Sequence, residues 1–248
     1  PDILGTPFYL MERLNGQVSE DSALPDLSPV QRGRIYADAA RHLATLHRVD
    51  WKAVGLEDYG RHENYYARQV RRWARQWIES KTRDDAEIDA LSDWFARNTP
   101  EDSGICIVHG DYRIGNLMYA PDGNSIVGVL DWELSTLGDP MADLAHFMMF
   151  WFLAPQELGG MAGLPLGDLG LPTPRAFLET YREAGGHDAE LTPFHRAFAF
   201  YRMSVIFEGI TARAKAGQAA SANALQIGAL APVCARHATE MLSKDERL

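Results

Sequence analysis

Three side chains near the middle of the sequence have the types and spacing for phosphoryl-transfer chemistry: Asp111, Asn116 and Asp131. They lie in His109-Gly110-Asp111-Tyr112-Arg113-Ile114-Gly115-Asn116 and Leu130-Asp131-Trp132-Glu133. A short apolar strand, Ile105 to Val108, delivers Asp111 into a loop, where a rigid scaffold holds it and its end stays open. Asn116 starts the next strand, and Asp131 ends the strand after that, so an antiparallel return brings the last two side by side. Magnesium takes oxygen ligands, commonly one or two carboxylates with substrate phosphates, and Asn116 and Asp131 supply such oxygens. Asp111 then stays off the metal and accepts a hydrogen bond from an attacking hydroxyl. Arg113 reads equally as a contact that neutralises charge on the transferring group and as one half of a structural ion pair. His109 reads as a buried imidazole that holds the loop, and Glu133 as a bracing ion pair more readily than a metal ligand.

The elements that must position these residues are mostly helices. Ser28-Pro29 is an N-cap followed by proline at the first helical position, and Ile35, Ala39, Leu43 and Leu46 repeat at helical spacing up to His47. Further helices are expected over Tyr65 to Ser80, with Val70, Trp73 and Trp77 as the apolar stripe, and over Ala86 to Arg97. Thr173-Pro174 and Thr192-Pro193 open two more by the same cap signature, and a last helix is expected over Ala222 to Leu242. The strands Asn116 to Tyr119 and Ile126 to Leu130 flank the turn Pro121-Asp122-Gly123-Asn124, making a hairpin. Asp139-Pro140 restarts a helix that runs into the apolar block Leu144 to Leu153. That block is about half the ~20 residues of a membrane span, and His146 interrupts it. Pro155 to Pro172 has no periodicity and is expected as a long loop. Pro7 to Leu14 reads as a short strand closed by the turn Asn15-Gly16, with Phe8 and Tyr9 packing there.

The composition narrows the partners. The chain has 248 residues, 46% hydrophobic and 10% aromatic, as in an ordinary globular protein. Its formal charge of −10, from 34 acidic and 24 basic side chains, disfavours nucleic acid as a partner. Arg68, Arg71, Arg72 and Arg75 fall along one side of a helix and read as a solvated face in preference to a phosphate-binding stripe. Cys106 and Cys234 are far apart, without metal-ligand spacing, so a reducing, cytoplasmic setting is expected. Neither a membrane span nor a signal peptide is read, and a homodimer is left open.

The segments HGDYRIGN and LDWE, with GTPFYLMERLNG before them and GDPMADLAHF after, resemble the aminoglycoside phosphotransferase family, the small-molecule branch of the kinase-like fold. GTPFYLMERLNG looks closest to the kinase-like domain of acyl-CoA dehydrogenase fusion proteins. The resemblance implies an α+β, mostly helical fold: the C-terminal lobe of a protein-kinase-like fold, with a small central β-hairpin. It implies ATP and Mg²⁺ as cofactors and a small-molecule hydroxyl as acceptor. Asp111 takes the family's catalytic position, and Asn116 and Asp131 the metal-binding ones. The opening segment resembles the hinge that holds adenine, which puts Met11, Glu12 and Leu14, with Met118, at the nucleotide. Asp143 matches an aspartate that braces the catalytic loop from below. Residues 1–16 are thus expected as hinge and connector, and 17–248 as the helical lobe, with the catalytic hairpin at 104–133.

A kinase site also needs a glycine-rich loop and a strand lysine paired with a helix glutamate. Neither G-x-G-x-x-G nor G-x-x-x-x-G-K-[ST] occurs. If Pro7 to Leu14 is the hinge, that lobe precedes Pro1, and this piece alone is expected to be a poor catalyst. Two other readings stand beside the phosphotransferase: a catalytically silent kinase-like module that binds nucleotide or a partner, and a metal-dependent hydrolase built on His109, Asp111 and Asp131. The hydrolase would need further ligands, and of the histidines only His109 is expected in the constellation.

Overall fold

The computed structural model describes Gly5, Phe8 and residues 10–219 and 221–243. Eight α-helices surround two small antiparallel sheets among them. Helix α1, Pro29–His47, begins at the expected cap: the Ser28 side chain accepts from the Gln31 N–H, and the Gln31 side chain returns a bond to the Ser28 N–H. Helices α2, Tyr65–Ser80, and α3, Ala86–Arg97, keep the boundaries that periodicity gives, and bury the expected stripes Val70, Trp73, Trp77 and Ile88, Leu91, Phe95.

Strand β1, Cys106–Val108, leads into the loop that carries Asp111. Its partner is β4, Thr136–Gly138, in the register Cys106↔Gly138, Ile107↔Leu137 and Val108↔Thr136. Sequence pattern missed β4, because three residues ending in glycine give too short an alternation to see. Strands β2, Leu117–Tyr119, and β3, Ile126–Val129, form the expected hairpin, with a register shift between Met118 and Tyr119. The two sheets therefore interlock: β1 and β4 bracket the hairpin in sequence and carry the loops at either side of it.

Helix α4, Met141–Met148, continues as a single 3₁₀ turn, Met149–Trp151, and the loop 155–172 follows as expected. Helices α5, Pro174–Glu183, and α6, Pro193–Lys215, come next. Helix α6 is buried on most sides and packs against α2, α3 and α4, and against α7, Ala224–Gly228, and α8, Ala231–Ser243. The expected single last helix is two. Gly228 ends the first by packing close to Phe207 and Thr211 of α6, and Pro232 in the first turn of the second cannot continue a helix that arrives from upstream.

The expected strand Pro7 to Leu14 is corrected in part. Pro7 and Tyr9 lie outside the described residues, Phe8 is half exposed, and residues 10–16 form no strand. Among the described residues of this segment only Gln17 pairs with the hairpin, exchanging two backbone bonds with Tyr119 at 2.8 and 2.9 Å. Residues 10–16 add no ladder to the hairpin edge. Both cysteines are free and buried. No helix among the described residues is long and apolar enough to cross a membrane.

Phe147 of α4 and Phe177 of α5 stack with ring centroids 4.5 Å apart, both almost wholly buried. This pair fastens the helix that follows the β2–β3 hairpin to α5, and so to α1 behind it. Phe177→Ala should lower the unfolding free energy by about 3–5 kcal/mol in urea titration. A loss under about 1 kcal/mol would show that the core closes over the cavity and does not rely on this contact.

Candidate active site

The loop that carries Asp111 is held by one buried carboxylate. Asp143, fully buried on α4, accepts the His109 N–H at 2.6 Å on Oδ2 and the Gly110 N–H at 2.8 Å on Oδ1. His47, at the end of α1, reaches the same Oδ2 with Nε2 at 3.3 Å, and its Nδ1 meets the Tyr181 hydroxyl of α5 at 2.8 Å. Burial alone would raise the Asp143 pKa, but the hydrogen bond and charge of His47 and the two backbone donors outweigh it and hold the carboxyl below its ordinary range. Gly110 has φ +84°, and an added Cβ would meet the Leu134 backbone, so only glycine fits this turn. The Gly110 carbonyl accepts from Nη2 of Arg202 on α6 at 2.6 Å.

His109 has the bracing role expected of it. Its Nε2–H donates to the Leu130 carbonyl at 2.8 Å and its Nδ1 accepts the Asp111 N–H at 3.2 Å, which fixes a neutral tautomer. One imidazole thus ties the Asp111 backbone to the strand that ends in Asp131.

Asp111 is held on three sides. His146 donates from Nε2 to Oδ1 at 2.8 Å, Asn116 donates from Nδ2 to Oδ2 at 2.8 Å, and Nε of Arg113 lies 3.6 Å from Oδ2. Its side chain keeps 24% of its surface exposed, so the carboxylate is oriented but reachable. Burial pushes its pKa up, and His146, Arg113 and Asn116 together pull it well below the usual carboxylate range. His146 was missed from sequence, where it was read as an interruption of an apolar block. It corrects the expectation that only His109 belongs to the constellation. The signal was its place three residues after Asp143 on one helix, which puts both on the same face.

Asn116 spends its amide donors on Asp111, bonding both the carboxylate and the backbone carbonyl at 2.8 Å, which leaves Oδ1 as its acceptor oxygen. The Asn116 carbonyl also accepts the Leu130 N–H at 2.8 Å, so the backbone pairing ends one residue before Asp131. Asp131 is exposed and sits in the left-handed region at φ 65°, which aspartate tolerates better than most residues. The expected juxtaposition of Asn116 and Asp131 is thus present at the level of the backbone. Two hard oxygen donors fit a magnesium ion that takes its remaining ligands from phosphate and water. Among the described residues no group of three His, Cys, Asp or Glu is arranged to hold a metal, which is the ligand set the hydrolase reading needs.

The other expected residues divide. Leu14 packs over Gly128, with Cδ1 in the space a Cβ would take there, and Met118 lies at ordinary contact distance from the same point. Met11 and Glu12 are exposed. Arg113 forms an ion pair with Glu20 at 2.8 Å as well as facing Asp111. Glu133 is exposed and makes no ion pair among the described residues. Asp139 caps α4 by accepting the Met141 N–H at 2.8 Å, as expected, and also takes the Ser103 hydroxyl.

A cavity of about 560 Å³ opens beside Asp111. Glu20, Asp21, Asp111, Arg113, His146 and Arg202 are on its polar side, and Met149, Phe150, Met203, Ile206, Phe207 and Ile227 on its apolar side. Leu158 and Gly159 bring the loop 155–172 into its wall.

Asp143→Asn turns an acceptor into a group that presents N–H to N–H donors. At pH 7 it should cost about 3–5 kcal/mol of stability, the usual loss when one member of a buried charged pair is removed. Because the folded pKa of Asp143 is depressed, its contribution is complete above the ordinary value near ~4 and drains away as pH falls toward the folded value. The gap between wild type and variant should therefore narrow below about pH 4 in denaturant titrations. A gap that is constant from neutral to acid pH would show that Asp143 does not clamp the loop as an ion.

With this geometry in view, the likeness to known proteins is coherent. Residues 1–194 match the phosphotransferase enzyme family, APH. The chain is 35% identical over 246 residues to acyl-CoA dehydrogenase family member 10 of Mus musculus, covering 98% of this chain and 23% of that protein. It is 38% identical to probable acyl-CoA dehydrogenase IBR3 of Arabidopsis thaliana, covering 89% of this chain and 28% of that protein. The chain thus spans about a quarter of the length of these curated relatives. A crystal structure from Ralstonia eutropha, named for the aminoglycoside phosphotransferases, superposes with TM-score 0.89 at 38% identity, over 96% of this chain and 73% of that one. Choline kinase from Cryptosporidium parvum shares the fold at TM-score 0.61 and 12% identity, over 94% of this chain and 69% of that one. The match over most of its length, together with the kinase-like fold, shows that this chain belongs to the APH phosphotransferase family.

Proposed function

We propose that the protein is an ATP-dependent, magnesium-assisted phosphotransferase that moves the γ-phosphate to a hydroxyl of a small molecule with an apolar body. The observation that carries this reading is the Asp111 carboxylate, fixed by His146 and Asn116 at the edge of the 560 Å³ cavity.

Asp111 accepts the hydrogen bond of the acceptor hydroxyl and orients one of its oxygen lone pairs toward phosphorus. As the new O–P bond forms, the bond from the γ-phosphorus to the bridging oxygen breaks, and its electrons leave with ADP. The hydroxyl proton passes to Asp111 and then to solvent. The depressed pKa of Asp111 suits orientation, with proton transfer late, because an ionised carboxylate is present at every physiological pH. Asn116 and Asp131 would hold the magnesium ion, which when bound offsets charge on the phosphate oxygens. Arg113, with its guanidinium between Asp111 and Glu20, is within reach of the transferring group once that group sits at Asp111. Leu14 and Met118 would cover one face of the base, with Met11 and Glu12 beside it.

The apolar wall of Met149, Phe150, Met203, Ile206 and Phe207 favours a hydroxyl carried on an alkyl or acyl chain. The names of the relatives, acyl-CoA dehydrogenases, support the same direction. The complete trio of Asp111, Asn116 and Asp131 speaks against a silent module, which has no need of all three.

In the full-length protein, Asp111→Asn should lower phosphoryl transfer by about 10²–10⁴-fold while nucleotide still binds. His146→Leu should reduce kcat by about tenfold or more with little change in the KM for ATP, since it acts by aiming Asp111. Transfer by Asp111→Asn at near wild-type rate would refute the assignment.

A further inference from the structure

A second feature lies next to the acceptor cavity, on the side the catalytic trio does not use. Two adjoining clefts, of about 490 and 380 Å³, share Gly60, Arg61 and Arg68 in their walls. The smaller shares Leu134 and Arg202 with the acceptor cavity, so the three hollows run on from Asp111 to the start of α2. Arg61, Arg68, Arg71, Arg72 and Arg202 line the two clefts, against three carboxylates, Glu57, Glu63 and Glu133. In a chain with a formal charge of −10, this is a local inversion of sign.

The arginines face the clefts without carboxylate partners. None of the five makes an ion pair among the described residues. Arg72 and Arg202 both lie on the Trp73 ring, 5.1 and 5.6 Å from its centroid, and this fixes their guanidinium groups without using up their charge. Arg202 is also tied to the catalytic loop through the Gly110 carbonyl. Arg68 donates from Nη2 to the Arg61 carbonyl at 3.2 Å, while its Nη1 is buried with no hydrogen-bond partner. A buried guanidinium nitrogen without an acceptor carries a cost that a ligand oxygen would remove. Burial, against the pull of Asp102 and with Arg61 and Arg71 nearby, lowers the Arg68 pKa, as a site waiting for negative charge would. The α2 N-terminus is not the attraction, because Asp102 already takes the Tyr65 and Tyr66 N–H groups. The arginine stripe that sequence reads as a solvated face thus lines a cleft at Arg68, Arg71 and Arg72.

We propose that this cleft is an anion-binding subsite for a phosphate or pyrophosphate group at the far end of the acceptor, whose apolar body lies in the cavity beside Asp111. The inference rests on the phosphotransferase reading for the identity of the ligand as acceptor, and on the clefts alone for the chemistry bound. Guanidinium forks pair with phosphate oxygens two at a time, and the fixed Arg72 and Arg202 lose little freedom in doing so.

The test is calorimetric titration of the full-length protein, without nucleotide and with EDTA, using inorganic pyrophosphate, inorganic phosphate and octyl phosphate as probes. Arg71 and Arg72 are exposed, so Arg71→Gln/Arg72→Gln should keep its melting temperature. It should weaken pyrophosphate binding by about tenfold or more, while Asp131→Asn leaves it unchanged. Octyl phosphate should bind at least about tenfold more tightly than inorganic phosphate, because its chain enters the apolar cavity. Equal pyrophosphate affinity in wild type and the double variant would overturn the subsite. So would affinity raised in Asp131→Asn and unchanged in the double variant, because without metal the relief of carboxylate repulsion would put the anion at the nucleotide position. Octyl phosphate binding no better than phosphate would overturn the link to the acceptor cavity. No turnover enters this titration, so its failure leaves the phosphotransferase reading standing. Anion binding without phosphoryl transfer would count against that reading alone.

Discussion

The geometry of the site depends on the carboxylate of Asp143. It is fully buried, it is ionised, and it takes the N–H groups of His109 and Gly110 in the two residues before Asp111. A buried carboxylate is tolerated only when its oxygens are satisfied, so the loop cannot drift without leaving that charge exposed to a low-dielectric core. The constraint reaches outward through His47 to Tyr181, and so connects α1, α4 and α5 to a single turn of backbone. The next constraint comes from the same helix face. His146, one turn on, aims the Asp111 side chain while Asp143 holds its backbone. Eight residues of α4 thus set both the position and the direction of the group on which the chemistry turns.

What surrounds Asp111 divides by character. Toward Asn116 and Asp131 the environment is oxygen-rich and open, suited to a metal and phosphates. Toward α6 and the loop 155–172 it is a cavity with an apolar wall. Toward α2 it is a row of arginines anchored on Trp73. A phosphotransferase needs the first of these for its nucleotide. One fold hosts many acceptors, and the proposed choice of acceptor rests on the other two surfaces.

The sequence makes the placement of Asp111, Asn116 and Asp131 and most helix boundaries legible, and the reason is locality. Ser28-Pro29, Thr173-Pro174 and Thr192-Pro193 announce helix starts by cap chemistry within a few residues, and the stripe of α2 shows in its own period. Asp111, Asn116 and Asp131 are legible because a hairpin is a short-range structure that brings its two ends together. Features that depend on distant partners are not visible this way. Strand β4 exists because β1 offers it an edge, and His47 matters because Asp143 lies across the core from it. His146 was hidden by its apolar neighbours, although its spacing from Asp143 carried the signal. The arginines of α2 look solvated in one dimension because Arg61 and Arg202, which complete the cleft, come from a loop and from α6. The break between α7 and α8 was legible in Gly228 and Pro232 and was read past.

The central claim is that Asp111 directs an acceptor oxygen onto the γ-phosphorus of ATP. Phosphorus-31 NMR of the full-length protein with ATP, magnesium and a panel of alkyl and acyl-chain alcohols observes that event directly. The account predicts a new phosphomonoester resonance that grows in step with ADP for an alcohol with an apolar body, and stops when magnesium is chelated. ADP accompanied only by inorganic phosphate across the panel, or no consumption of ATP by the folded protein, would contradict it.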